Sequence, residues 1–416
     1  MGQADMTVQK GIVARLGAQG DGIIDGPEGD IFVPYALPGD AVTFDADGGV
    51  TAIAPGPAER VQAPCLHFGV CGGCVSQHMG PKLYEDWKIE GLKAAFRARG
   101  LTPEIAQLEA MPLGSRRRVT LTSAPGRGGP VVGYHQRKSH DLVDISTCSV
   151  MTPRLERALA PLKALLGLLP DALWAARVFV ADVEGGLDVD IVPEADAKAL
   201  DAPRRERLAH AAQAMGIIRL TIGRELVMTS QEPQLASGRA KIPLPRAGFF
   251  QASALAEQQM IAAVVAILKG KKFKRAVDLF SGLGPFTLAL AEHGTVKAVD
   301  SDQPALAALM RAARATPGLK PIETLRRDLF RDPLGLLELS AFDAAVLDPP
   351  RAGAEAQVKM LAKSKLAKIA YVSCNPATLA RDARTLVDGG YRLTRVVPID
   401  QFVHSAHLEA VAEFAR

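Results

Sequence analysis

Ala276-Val277-Asp278-Leu279-Phe280 runs straight into Ser281-Gly282-Leu283-Gly284-Pro285-Phe286-Thr287. This is an apolar run of strand length, then a glycine-bearing turn, then the start of a helix. Strand and helix signals alternate from there to the end of the chain. The later strand candidates are 296–299, 322–325, 343–347, 368–372, 392–397 and 408–414. Seven strands joined by helical connectors indicate a doubly wound α/β sheet. Ahead of it, Ala254 to Leu268 has the apolar period of a long helix, and Lys269 to Arg275 forms a basic turn.

The totals bound the rest. A chain of 416 residues has room for two to four domains. Its 48% hydrophobic and 23% charged residues are ordinary for a packed globular protein. Aromatics are sparse at 5%, so base stacking is not its main hold on any nucleic acid, and a net charge of +4 permits a polyanionic partner without demanding one. Met1-Gly2-Gln3-Ala4-Asp5 carries no signal-peptide pattern, and no apolar run is long enough to span a bilayer. A cytoplasmic protein is therefore expected, with no membrane partner and reduced thiols.

Residues 8 to 55 show short strands separated by Gly and Asp turns, the pattern of a small β-barrel, closed by Pro55-Gly56-Pro57. Such barrels often present a strand face to RNA, and a structural cap is the alternative. Cys65, Cys71 and Cys74 follow within ten residues, and Cys148 stands alone further on. Soft ligands with glycines between them point to an iron–sulfur cluster, with a four-thiolate zinc ion as competitor. The segment up to 248 mixes helix candidates at 153–169 and 198–214 with strand candidates at 119–122, 131–135, 178–192 and 216–228. It reads as an α+β domain. Its arginine clusters, Arg116-Arg117-Arg118 among them, suit either phosphate contacts or a solvated face.

Open α/β sheets bind ligands beyond the carboxyl ends of their strands. The turn at Gly282 and Gly284 lets the backbone approach a nucleoside-like ligand, and the third glycine of a dinucleotide fingerprint is missing. Asp300 ends the second strand, where an acid takes ribose hydroxyls, and Asp328 after the third is placed for an adenine amine. The pattern fits S-adenosylmethionine, with NAD as rival. Asp348-Pro349-Pro350-Arg351 ends the fourth strand. Enzymes that methylate exocyclic amines need an aromatic residue where Arg351 stands. Tyr371-Val372-Ser373-Cys374-Asn375-Pro376 ends the fifth strand with a thiol, which is either a small core residue or a nucleophile. A thiol that adds to carbon 6 of a pyrimidine makes carbon 5 nucleophilic, and a base must then remove the carbon-5 proton. His404-Ser405-Ala406-His407-Leu408-Glu409 supplies Glu409, with His407 as a helper.

These residues resemble the RNA 5-methyluridine (uracil-5-)methyltransferases, in particular the iron–sulfur branch acting on 23S ribosomal RNA. The resemblance implies a TRAM-type, OB-like RNA-binding barrel over 1–57, an iron–sulfur α+β middle domain over 58–248, and a Rossmann-like seven-stranded methyltransferase domain over 249–416. It implies a [4Fe-4S] cluster on Cys65, Cys71, Cys74 and Cys148. Phe249-Phe250-Gln251 resembles the family's entry to the catalytic domain, which places Gln251 at the cofactor or uracil pocket. Phe280, Asp300 and Asp348 fall where the family binds S-adenosylmethionine, Cys374 in its nucleophile motif and Glu409 in its general-base motif. Positive charge near Cys374 is expected to lower its pKa toward neutrality. Pro285 and Phe280 depart from the asparagine and tyrosine common in the family, and neither touches the chemical step. RNA, 23S ribosomal RNA first, is the expected partner of a monomer. The rivals are a transfer-RNA uridine enzyme, a 5-methylcytidine enzyme, and a non-catalytic iron–sulfur RNA-binding or ribosome-assembly factor.

Overall fold

The computed structural model describes residues 9–45, 47–195, 200–269 and 273–416. Met1–Asp5, the first two residues of the helix expected from 198, and Gly270–Lys272 of the basic turn lie outside the described residues.

Six short strands open the chain: β1 Gln9–Ile12, β2 Arg15–Leu16, β3 Gly22–Gly26, β4 Gly29–Val33, β5 Ala41–Phe44 and β6 Val50–Ala54. They pair as two three-stranded sheets, β1-β5-β6 and β2-β3-β4. Val13, Ile24, Val33, Ala36, Val42 and Phe44 form the core between them. The Pro55-Gly56-Pro57 segment is folded back onto this module, since the Gly56 amide donates to Asp40 Oδ1 at 2.8 Å.

Helix α1 Pro81–Arg97 and the two-residue strands β7 Glu104–Ile105 and β8 Glu109–Ala110 come next. The strands β9 Arg118–Gly126, β10 Gly129–His135, β11 Leu142–Asp144, β12 Ala176–Val183, β13 Gly186–Pro193, β14 Ile217–Ile222 and β15 Glu225–Thr229 form a seven-stranded sheet in the order β11-β10-β9-β12-β13-β14-β15. Helices α2 Pro153–Gly167 and α3 Ala202–Ala214 cover it with a leucine-rich face. Thr152 and Asp201 cap their amino termini through side-chain oxygens. A small hairpin, β16 Gln234–Ser237 with β17 Ala240–Pro243, leads out.

The last third holds α4 Ala254–Lys269, β18 Arg275–Leu279, α5 Pro285–Leu290, β19 Thr295–Asp300, α6 Gln303–Ala315, β20 Ile322–Arg326, α7 Leu336–Leu339, β21 Ala344–Leu347, α8 Glu355–Lys363, β22 Lys368–Ser373, α9 Pro376–Asp388, β23 Arg392–Asp400 and β24 Glu409–Ala415. All seven expected strands are present, in the order β20-β19-β18-β21-β22-β24-β23. The first five are parallel, and β24 runs antiparallel between β22 and β23. Helices lie on both faces, which explains the near-continuous apolar runs of the central strands. Ile369, Ala370, Tyr371 and Val372 of β22 are fully buried, and the Tyr371 hydroxyl donates to Asp382 of α9 at 2.6 Å. The chain steps outward through β19 and β20, then returns past β18 to β21. The switch point between β18 and β21 opens a crevice at their carboxyl ends.

One extension of this sheet was not foreseen. β7 and β8 pair in parallel with the edge strand β23, making nine strands, and Leu92 and Phe96 of α1 join the core between the sheet and α9. Residues 81–111 thus pack as part of the carboxyl-terminal sheet. No described helix is long and apolar enough to cross a membrane.

Candidate active site

The turn after β18 is built under steric constraint. Phe280 has φ 62°, in the left-handed region, a conformation that costs an aromatic residue about 1–3 kcal/mol. It aims the Phe280 ring at Phe330, 5.3 Å away between centroids. Gly284 has φ 74°, and a Cβ there would stand 2.5 Å from the Leu309 side chain, so only glycine fits. Inside the turn, Thr287 donates to the buried Asp278 at 2.6 Å, and burial raises the Asp278 pKa to about 7. Asp300 accepts from the Gly282 amide at 2.8 Å through one oxygen and from the Asp302 amide at 2.8 Å through the other. The acid that ends β19 therefore fixes the glycine turn as well as facing the crevice.

Beyond β21 and β22 the chain is cross-tied. Asn375 caps α9 and donates to the Arg351 carbonyl at 3.1 Å, and Thr378 donates to the same oxygen at 3.2 Å. Cys374 and Arg351 are thereby held side by side. Glu409, at the start of β24, is 3% exposed, and its Oε1 accepts from Gln401 at 2.6 Å. Gln401 also donates to Gln251 at 2.8 Å, and Gln251 donates to Asp348 at 3.0 Å. Burial raises the pKa of both carboxyls, that of Glu409 to about 7, and Glu409 pushes Asp348 further up. Cys374 corrects an expectation. Its pKa is raised to about 11, first by burial and then by Glu409 and Asp348, and Arg351 only partly offsets this. His407 also departs from its expected role. Its Nε2 lies 2.7 Å from Arg351, and no hydrogen bond among the described residues joins it to Glu409.

Gln251, Phe280, Gly282, Asp300, Asp328, Asp348, Cys374 and Glu409 all line one cavity of about 640 Å³ at the switch point. Residues drawn from seven separate stretches of sequence meet there. A second cavity of about 1000 Å³ lies between the front module, α1 and the Cys374 loop, and Arg351 and Cys374 line both. The first cavity is roomy enough for a nucleoside-bearing cofactor.

A family model described as tRNA (Uracil-5-)-methyltransferase matches residues 324–414, which span β20 through β24 and so include the Asp348, Cys374 and Glu409 loops. Over almost its whole length the chain is 33% identical to the 23S rRNA (uracil(1939)-C(5))-methyltransferase RlmD of Chromohalobacter salexigens, covering 99% of this chain and 90% of the relative. This chain belongs to the RNA (uracil-5-)methyltransferases. It is also 41% identical to an uncharacterised RNA methyltransferase of Agrobacterium fabrum, over 98% of this chain and 99% of that one. The fold is shared with Pyrococcus abyssi tRNA (uracil-54, C5)-methyltransferase, whose structure holds S-adenosyl-L-homocysteine; the TM-score is 0.75 at 22% identity, with 98% and 99% of the two chains covered. By family the chain is an S-adenosylmethionine-dependent methyltransferase of RNA.

The four remaining cysteines of this methyltransferase, Cys65, Cys71, Cys74 and Cys148, line a third cavity of about 460 Å³. Burial raises the pKa of Cys71, that of Cys74 to about 11 and that of Cys148 to about 12. Among the described residues no group of three or more His, Cys, Asp or Glu is placed to hold a metal ion. The four cysteines face a common space, and a bound cation there would favour their thiolates.

Sequence reasoning missed Gln401, Arg117 and Glu257. Arg117 is buried, donates to the Gln251 carbonyl at 3.1 Å and pairs with Glu257 at 2.8 Å. A glutamine in a loop and one arginine inside a basic run carry no spacing signal. The only available pointer to Gln401 was its place just past the carboxyl end of β23.

Proposed function

We propose that this enzyme methylates carbon 5 of a uridine in 23S ribosomal RNA through a covalent bond from Cys374 to carbon 6. The observation that carries this reading is the meeting, in one cavity, of a strand-end thiol with a buried carboxylate. Cys374, having lost its proton to solvent, adds as a thiolate to carbon 6 of a flipped-out uridine, and the displaced π-electron pair moves into the ring to make carbon 5 nucleophilic. S-adenosylmethionine, when bound, supplies the electrophilic methyl group. Glu409 then takes the carbon-5 proton, the carbon–sulfur bond breaks, and Cys374 leaves with its electron pair. Asp300 and Asp328 are the groups for ribose and adenine, Phe280 and Phe330 the apolar walls, and Gln251 with Asp348 the polar groups nearest the reacting centre. The name of the relative RlmD supports 23S RNA as the target.

Cys65, Cys71, Cys74 and Cys148 are the residues that would hold a [4Fe-4S] cluster, which would brace the middle domain or meet RNA. In this reading 1–57 binds RNA, 58–248 carries the cluster, 249–416 performs catalysis, and the enzyme acts as a cytoplasmic monomer.

The test is covalent trapping with 5-fluorouridine-substituted RNA, since fluorine at carbon 5 blocks the final proton removal. A denaturant-stable protein–RNA band that vanishes in Cys374→Ala is expected with 23S transcripts. A band with transfer RNA alone would reassign the substrate, and no band with either would overturn carbon-5 uridine chemistry. Iron and sulfide in anaerobically purified protein, both lost in Cys148→Ser, are expected; zinc alone would overturn the cluster.

A further inference from the structure

Gln401 is 2% exposed, and every polar atom of its amide is committed. Its Oε1 accepts from the Ala252 backbone amide at 3.1 Å. A backbone N–H has no alternative role, so this contact fixes which end of the side chain is oxygen and which is nitrogen. The NH2 group must then face Glu409 Oε1 at 2.6 Å and Gln251 Oε1 at 2.8 Å. Gln251 is fixed in turn, with its own NH2 on Asp348 at 3.0 Å. The donor sense thus runs one way, from Ala252 through two glutamines to two carboxyls. It also divides the two oxygens of Glu409: Oε1 is held by Gln401, while Oε2 is buried with no hydrogen-bond partner among the described residues.

The loop that carries Gln401 is held from outside the catalytic crevice. Lys88 of α1, itself buried, donates to Asp400 at 2.8 Å, to the His407 carbonyl at 2.6 Å and to the Phe402 carbonyl at 3.4 Å. Tyr84, one turn earlier on the same helix face, hydrogen-bonds the other oxygen of Asp400 and accepts from the His404 amide at 2.9 Å. Two side chains of one helix therefore clamp both ends of residues 400–407.

We infer that Gln401 is a positioning residue which presents Glu409 Oε2 to carbon 5, and that Lys88 and Tyr84 hold the loop that makes this possible. The inference rests on Glu409 being the base. It assigns no contact with substrate to any of the three residues. Glu409 is also faced by Asp348 and Arg351 beyond β21, by Cys374 beyond β22, and, at the far side of Asp348, by Asp278 of β18 and Glu257 of α4.

The experiment follows covalent adduct and turnover together, on full-length protein with in vitro transcribed 23S ribosomal RNA containing ordinary uridine. Glu409→Gln is the reference and should accumulate a methylated adduct. Gln401→Met keeps the volume and removes the donor. It should still form adduct at a rate within threefold of wild type and release it at least tenfold more slowly. The rising limb of its pH–rate profile should move to higher pH, because the donor that favoured the ionised base is gone. Tyr84→Phe, which keeps the ring, should shift release in the same direction by a smaller factor. If Glu409→Gln traps nothing, the base assignment itself falls. If it traps adduct while Gln401→Met releases product at the wild-type rate with an unmoved pH profile, only the positioning role is overturned. Equal losses of adduct formation and release, in step with a lowered melting temperature, would likewise reduce Gln401 to a packing residue.

Discussion

In the proposed mechanism Cys374 must become a thiolate, in surroundings that oppose one. Burial, Glu409 and Asp348 all favour the thiol, and Arg351 is the cation that favours the anion. Arg351→Met should therefore slow adduct formation about 10–100-fold and move its pH dependence upward, as single-turnover trapping across pH will show. In the wild type, adduct formation should rise steadily from pH 6 to 9. With a pKa near 11 the thiolate stays a minority throughout that range, and its share grows about tenfold per pH unit. The residues themselves were legible, because strand ends in an α/β sheet are where chemistry gathers. The electrostatics were not. Glu409 and Asp348 lie far from Cys374 in sequence, so their charge on the thiol emerges only once β21, β22 and β24 are paired.

The β18–turn–α5 element makes two demands that can be measured. Gly284→Ala forces a side chain into a left-handed residue and against Leu309, and should cost about 2–4 kcal/mol of stability, readable by denaturant unfolding. Asp278 has a folded pKa near 7 against an ordinary 3.8, so between those values the folded protein holds a proton that the unfolded chain releases. Its contribution is fully present below pH 4 and is lost as pH rises through 7. Asp278→Asn should flatten the fall in melting temperature over that window; an unchanged slope would show that Asp278 does not set it. The element was easy to read, since an apolar strand, a glycine turn and a helix announce themselves locally. β7 and β8 were not, because two residues of strand have no period and form only against β23.

Across the molecule, three units converge on the cysteine cavity. Its wall takes Gln19 from the front module, Tyr134 from the middle sheet and Arg137 from the turn after β10, and Phe402, Ser405 and His407 from the loop before β24. Arg137 also grips the buried Asp21 at 2.6 and 2.8 Å. Asp21→Ala should strand that arginine and loosen the front module, at about 3 kcal/mol. RNA KM should rise about tenfold with kcat within twofold, as steady-state methylation will show. The arginine run at 116–118, read as phosphate contacts or solvated surface, turns inward in part: Arg117 pairs with Glu257, Arg116 lies over Phe402, and Arg118 stacks on Phe249. Charge patterning along the chain cannot show this, since burial depends on which sheet covers the run. Finally, Cys374 and Arg351 stand as a partition between two chambers, one at the switch point and one opening toward the front module. If donor and RNA each enter by their own door, neither obstructs the other. Binding order should then be random, and spent donor should exchange while the RNA stays seated, so that a single encounter with a long transcript allows more than one transfer.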